Sequence, residues 1–176
     1  MKKISFIIFF FCSISFVFSQ NKKQEIHWVT FEEAVKLNEQ NPKKFFIDLY
    51  TNWCGWCKRM DASTFQDTTI IKYMNEKYYA IKFNAETRDT ITFQGKKFAY
   101  NAQYKVNEFA LSLLNGKIQG YPTSVYMDEK FNLLTTVASY LTAAQLEPIL
   151  KYFGENIHKT KVTWEDFQKT FIGTVK

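Results

Sequence analysis

Two cysteines set three positions apart, within Trp53-Cys54-Gly55-Trp56-Cys57-Lys58, are the residues of this chain best suited to chemistry. If a helix begins at the first of them, positions i and i+3 share one face, so the two sulfurs can meet and close a small disulfide ring. Cys54 then sits at the positive end of the helix dipole, beside N–H groups without helical partners, which favours thiolate over thiol. A run of strand-forming residues, Phe45-Phe46-Ile47-Asp48-Leu49-Tyr50, leads into the pair. The competing chemistry is a zinc site in which His27 and His158 complete four ligands. Those histidines are distant in sequence and lack zinc-finger spacing, so redox exchange is the favoured reading.

The rest of the composition isolates the pair further. Met1-Lys2-Lys3 is a short basic start, residues 4–18 are fifteen uncharged and mostly Phe and Ile positions, and Ser19 is a small residue suited to cleavage. Residues 1–19 are therefore read as a secretory signal; fifteen apolar positions fall short of the ~20 that a spanning helix needs. Setting them aside removes Cys12 and leaves Cys54 and Cys57 as the only cysteines of the exported chain. A disulfide closing so short a loop stabilises a fold by only about 2 kcal/mol in the chain-entropy description. A bond that stabilises so little is better explained by being made and broken. The formal charge of +6 is spread along the 176 residues rather than clustered, which argues against a nucleic-acid partner.

The elements that must position the cysteines follow from pattern. Residues 20–25 are a polar lead-in, and residues 26–176 are read as one domain. Ile26-His27-Trp28-Val29 reads as a short strand, and Thr30 with Glu33 as a capping box opening a helix to about Gln40. Residues 44–50 suit a central strand covered on both faces. A helix is expected over 57–64, another after an Asp67 cap with Ile70, Ile71 and Met74 inward, and a strand over 78–84. A hairpin turning at Gly95 and a helix over 106–115 follow, then strands at 124–127 and 133–140. Thr142 with Gln145 opens a helix to about Phe153, in conflict with Pro148, so a kink or a later start is expected there. Trp164 and Phe167 belong to a last amphipathic helix.

With these features placed, residues 26–153 resemble the thioredoxin superfamily. Trp53 to Lys58 is similar to the family's W-C-G-x-C-K signature. Asp48, six positions before Cys54, stands where thioredoxins carry a buried acid, and Lys82 looks like its partner lysine. Tyr121-Pro122-Thr123 is similar to the family's cis-proline loop. The resemblance implies a thioredoxin fold of α/β class, a central mixed sheet flanked by helices, with an insertion at 88–120 before the cis-proline loop. It also implies roles: Cys54 as nucleophile, Cys57 as resolving thiol, Asp48 and Lys82 assisting proton transfer from Cys57, and Trp53, Gly55, Trp56, Tyr121, Pro122 and Thr123 contacting substrate. Gly55-Trp56 matches neither the Gly-Pro of typical thioredoxins nor the Pro-His of oxidising relatives, so the potential is not carried over.

The expected activity is exported thiol:disulfide exchange, reducing substrate disulfides, with no cofactor beyond the Cys54–Cys57 disulfide. Exported polypeptides bearing cysteines or disulfides are the expected partners, a membrane thiol relay the expected electron donor, and a monomer the expected state. Disulfide oxidation or isomerisation, and client binding without catalysis, are the alternatives.

Overall fold

The computed structural model describes residues 24–175. The expected signal at 1–19 and most of the polar lead-in lie outside these residues. The chain begins with β1 (Trp28–Val29) and α1 (Phe31–Gln40), whose start is the expected reciprocal cap: Thr30 accepts from the Glu33 amide, and Glu33 accepts from the Thr30 amide at 2.8 Å. Next come β2 (Lys44–Tyr50), α2 (Gly55–Ala62), a 3-10 turn at Thr64–Gln66, α3 (Thr68–Lys77) and β3 (Tyr78–Asn84). β4 (Ile91–Phe93), β5 (Lys96–Phe98), β6 (Tyr100–Asn101), β7 (Val106–Asn107) and α4 (Glu108–Leu113) lead to β8 (Thr123–Met127) and β9 (Leu133–Val137). The chain closes with α5 (Ala143–Gly154) and α6 (Trp164–Thr170). The main sheet has five strands in the order β1-β3-β2-β8-β9. β1 and β2 run parallel to β3, whereas β8 is antiparallel to both its neighbours, so the sheet is mixed.

Alternation along β2 divides the core in two. Phe45, Ile47 and Leu49 face α1 and α4, packing with Phe31, Ala34, Phe109 and Leu113. Phe46 faces the other side, among Met60 of α2, Ile70, Ile71 and Met74 of α3, and Leu146 and Leu150 of α5. Asp48 shares the Phe46 side by the same period of two. The one acid of the strand is thus aimed beneath the helix that carries the cysteines.

Several expected boundaries move, each for a local reason. α2 ends at Ala62 rather than Thr64, where the Ser63 hydroxyl donates back to the Arg59 carbonyl at 2.7 Å. β9 stops at Val137, which frees Tyr140 from the sheet. Pro148 lies inside an uninterrupted α5; the carbonyl it leaves without a helical donor belongs to Ala144, which is exposed to water. The expected helix over 106–115 shrinks to α4 because Val106-Asn107 pairs with Tyr100-Asn101. Asn107 accepts from the Phe109 amide and donates to the carbonyl of Asp89 at 2.9 Å, so it caps the helix instead of entering it.

The hairpin of β4 and β5 forms as expected, with Gln94 (φ 50°) and Gly95 (φ 75°) both left-handed, as a two-residue turn between twisted strands requires. The insertion expected at 88–120 packs part of its length inward. Phe98, Val106, Phe109 and Leu113 are buried, and the Phe109 ring lies 4.4 Å from Phe31, 5.3 Å from Phe83 and 5.4 Å from Phe98, centroid to centroid. Phe109→Ala is therefore expected to cost about 3–5 kcal/mol in denaturant unfolding of the oxidised protein, against less than about 0.5 kcal/mol for exposed Tyr104→Ala in the same segment. Equal small losses would mean that the segment is a surface decoration.

Candidate active site

The cysteine pair sits at the entry to α2. Cys54 is the N-cap residue, in extended conformation, and its sulfur accepts a hydrogen bond from the Cys57 amide at 3.0 Å. The two cysteines are joined as a disulfide with their Cα atoms 5.3 Å apart. In the disulfide, Cys54 is 4% and Cys57 2% exposed. Trp53 and Trp56 are by contrast 67% and 56% exposed. Gly55 is exposed and a Cβ there would touch nothing, so the space above this turn is open.

Beneath the pair lies a chain of three charges. Register sets Lys82 of β3 and Ser124 of β8 on either side of Asp48. Asp48 is 1% exposed, and the Lys82 ammonium stands 3.3 Å from its Oδ2, an ion-pair distance without hydrogen-bond alignment. The aligned bond of Lys82 goes to Asp61 of α2, one turn beyond Cys57 on the same helix face. Neither Asp48 oxygen has a hydrogen-bond donor among the described residues. Burial is the main reason that the Asp48 carboxyl is pushed up to about 6; Lys82 opposes the shift and Asp61 adds to it. Three rings line the lysine, with Tyr50, Trp28 and Phe65 centred 4.9, 5.5 and 5.9 Å from its nitrogen.

The flanks of the disulfide differ in charge. On one side the Trp53 indole donates to Glu86 at 2.9 Å and meets Tyr121 edge-on at 6.0 Å. That contact brings the Tyr121-Pro122-Thr123 loop beside the motif. The Tyr121–Pro122 peptide bond is cis, and the Thr123 hydroxyl donates to the Gly120 carbonyl at 2.7 Å. Half-burial, with Glu86 nearby, pushes the Tyr121 hydroxyl up to about 12. On the other side the Trp56 ring lies 5.4 Å from Tyr140, with the Arg59 guanidinium over both. The structure thus brings Asp48, Lys82, Trp53, Trp56 and the Tyr121-Pro122-Thr123 loop to the surroundings of the cysteine turn. It adds Asp61, Glu86, Arg59 and Tyr140. Helical spacing could have flagged Arg59 and Asp61, at i+3 from Trp56 and i+4 from Cys57; Glu86 and Tyr140 arrive only through tertiary folding.

His27 and His158 do not join the cysteines. The His27 amide bonds Asn75, and His158 packs 5.2 Å from Phe153. Among the described residues, no three His, Cys, Asp or Glu side chains are grouped as metal ligands, and no helix is long and apolar enough to cross a membrane.

Comparison with known proteins agrees with this architecture. Two curated relatives, uncharacterized proteins of Caenorhabditis elegans and Archaeoglobus fulgidus, are each 27% identical, over 73 and 74 residues. These matches span 41% and 42% of this chain but only 10% and 58% of the relatives' own lengths. Among solved structures, a thioredoxin from Thermus thermophilus superposes with a TM-score of 0.55 at 14% identity, covering 78% of this chain and 98% of that one. A putative disulphide-isomerase from Bacteroides thetaiotaomicron gives 0.52 at 22%, covering 79% and 98%. A DsbH oxidoreductase gives 0.54 at 14%, covering 74% and 85%. At these identities the superpositions establish the shared fold. The sequence pattern of the thioredoxin-like domain family matches residues 31–154, the span from α1 to the end of α5. This chain belongs to the thioredoxin-like domain family.

Proposed function

We propose that the protein is an exported thiol:disulfide oxidoreductase that reduces disulfides in exported polypeptides. The observation that carries this reading is a disulfide at the first turn of α2 with a buried, ionisable carboxyl in the strand beneath it. In the reduced enzyme, the Cys54 thiolate attacks one sulfur of a substrate disulfide, and the other sulfur leaves as a thiolate that takes a proton. A mixed disulfide joins Cys54 to the substrate. Cys57 then gives its proton to Asp48, directly or through water, and its thiolate attacks the Cys54 sulfur. The substrate departs as a dithiol, two electrons poorer enzyme remains, and the Cys54–Cys57 bond is the product state. Lys82 offsets the cost of the buried Asp48 charge, and Trp53, Trp56 and the loop at Pro122 receive the substrate as an extended strand.

Export rests on the signal-like residues 1–19, and a membrane thiol relay is the electron donor of the right chemistry outside the cytoplasm. The direct test of exchange is Cys57→Ser. This variant should strand partners on Cys54 as mixed disulfides that release on reduction and can be identified by mass spectrometry. Recovering no covalent partner while Cys54 stays alkylatable would contradict thiol exchange.

Asp48 gives the second test, because its two effects have opposite signs. Its carboxyl binds a proton more tightly folded, at about 6, than at its ordinary 3.8, so protonation stabilises the fold at low pH and that contribution is lost as pH rises through 6. Asp48→Asn removes the buried charge and should raise stability by up to about 3 kcal/mol at pH 8, with little effect at pH 4. The same variant should slow resolution of the mixed disulfide at pH 7 by about tenfold to a hundredfold and abolish the fall in that rate below pH 6. Unfolding curves and single-turnover kinetics across pH check both; a stabilised variant with an unchanged rate profile would remove Asp48 from the mechanism.

A further inference from the structure

On the Trp56 flank of the disulfide stand Arg59 and Tyr140, two residues with no part in the thiol exchange described above. Arg59 lies one turn beyond Trp56 on α2 and is exposed, with its guanidinium carbon 5.4 Å from the Trp56 ring centre and 5.8 Å from that of Tyr140. The platform is braced from below. Ser63 donates to the Arg59 carbonyl at 2.7 Å, and its hydroxyl is 3.1 Å from the Tyr140 oxygen. A guanidinium placed over aromatic rings carries five N–H donors, more than such contacts use, and can offer a pair of them to a carboxylate. Among the described residues, Arg59 has no acidic partner within ion-pair distance, whereas Lys82 is held by Asp48 and Asp61. The opposite flank carries Glu86 bound to Trp53, so the charge reverses sign across the disulfide.

We propose that Arg59, backed by Trp56 and Tyr140, is a carboxylate-selecting subsite, and that polypeptides served by Cys54 carry Asp or Glu in the extended segment crossing Trp56. Charge complementarity names the occupant: the Arg59 guanidinium, without an acidic partner among the described residues, meets an acid two or so residues from the target cysteine, while a basic residue there is repelled. A neutral segment still reaches the disulfide but without the selected contact. This inference rests on the thiol-exchange reading above.

The test uses symmetric disulfide-linked peptide dimers, in which attack on either sulfur is equivalent. Each peptide carries one cysteine with Asp, Asn or Lys two positions away on both sides. Single-turnover release of peptide thiol by the pre-reduced full chain is expected to run about tenfold faster for the Asp than the Lys dimer at low salt, with Asn between, and the spread should narrow at high salt. Arg59→Glu should reverse the order. Lys36→Glu, the same change of charge on α1 across the sheet, should keep the wild-type order. Ratios are read within one protein, so partial misfolding of a variant does not alter them. Equal rates for all three dimers, an unchanged order in Arg59→Glu, or the same reversal in Lys36→Glu would each overturn the subsite while leaving thiol exchange standing. No reduction of any dimer by the wild-type chain would overturn both.

Discussion

The interaction on which this site depends is the burial of one carboxyl, that of Asp48, in the middle strand of the sheet. Few folds keep an acid 1% exposed without hydrogen-bond donors, because an ion taken from water loses several kcal/mol of hydration. Here the loss is only partly offset. Lys82 lies at ion-pair distance, but its aligned bond goes to Asp61, and the rings of Trp28, Tyr50 and Phe65 that line the lysine give the carboxyl no hydrogen bond. The result is a group poised near neutrality, able to hold or release a proton under working conditions.

The fold explains why that group lies where it does. Parity along β2 sends Phe45, Ile47 and Leu49 to one layer and Phe46 and Asp48 to the other, and the short connection from Tyr50 to Gly55 returns the chain as α2 over the same face. Register with β3 then places Lys82 beside Asp48, and Asp61 ties β3 to α2 through that lysine. A one-residue slip of β2 would turn Asp48 into the phenylalanine-rich layer around Phe109 and leave it without a cation. The aromatic packing of residues 88–120 against α1 works against such a slip, which links a segment remote from the chemistry to the geometry of the site.

Much of this was legible in the sequence where the determinants are local. The Thr30/Glu33 and Thr142/Gln145 caps, the Asp67 cap, the strand over 78–84 and the turn at Gly95 all rest on residues within a few positions of one another. The cysteine spacing with Asp48, Lys82 and Pro122 at intervals indicated the family and the fold. What was not legible depended on partners far along the chain. Asn107 caps α4 because it also binds the carbonyl of Asp89, and Pro148 is tolerated because Ala144 faces water. Tyr140 reaches Trp56 only because β9 ends early, and the inward packing of the insertion follows from four aromatic contacts to Phe109.

The charge beneath α2 also bears on the direction of electron flow. A carboxylate near the pair disfavours thiolate in the reduced form, and it is a stabilised reduced form that makes a strong oxidant. The proposed reductase should therefore hold its electrons loosely. Equilibration of the full chain with glutathione buffers measures this most directly: the account predicts a potential near the ~−270 mV of thioredoxins, and a value near the ~−120 mV of the strong periplasmic oxidants would contradict it.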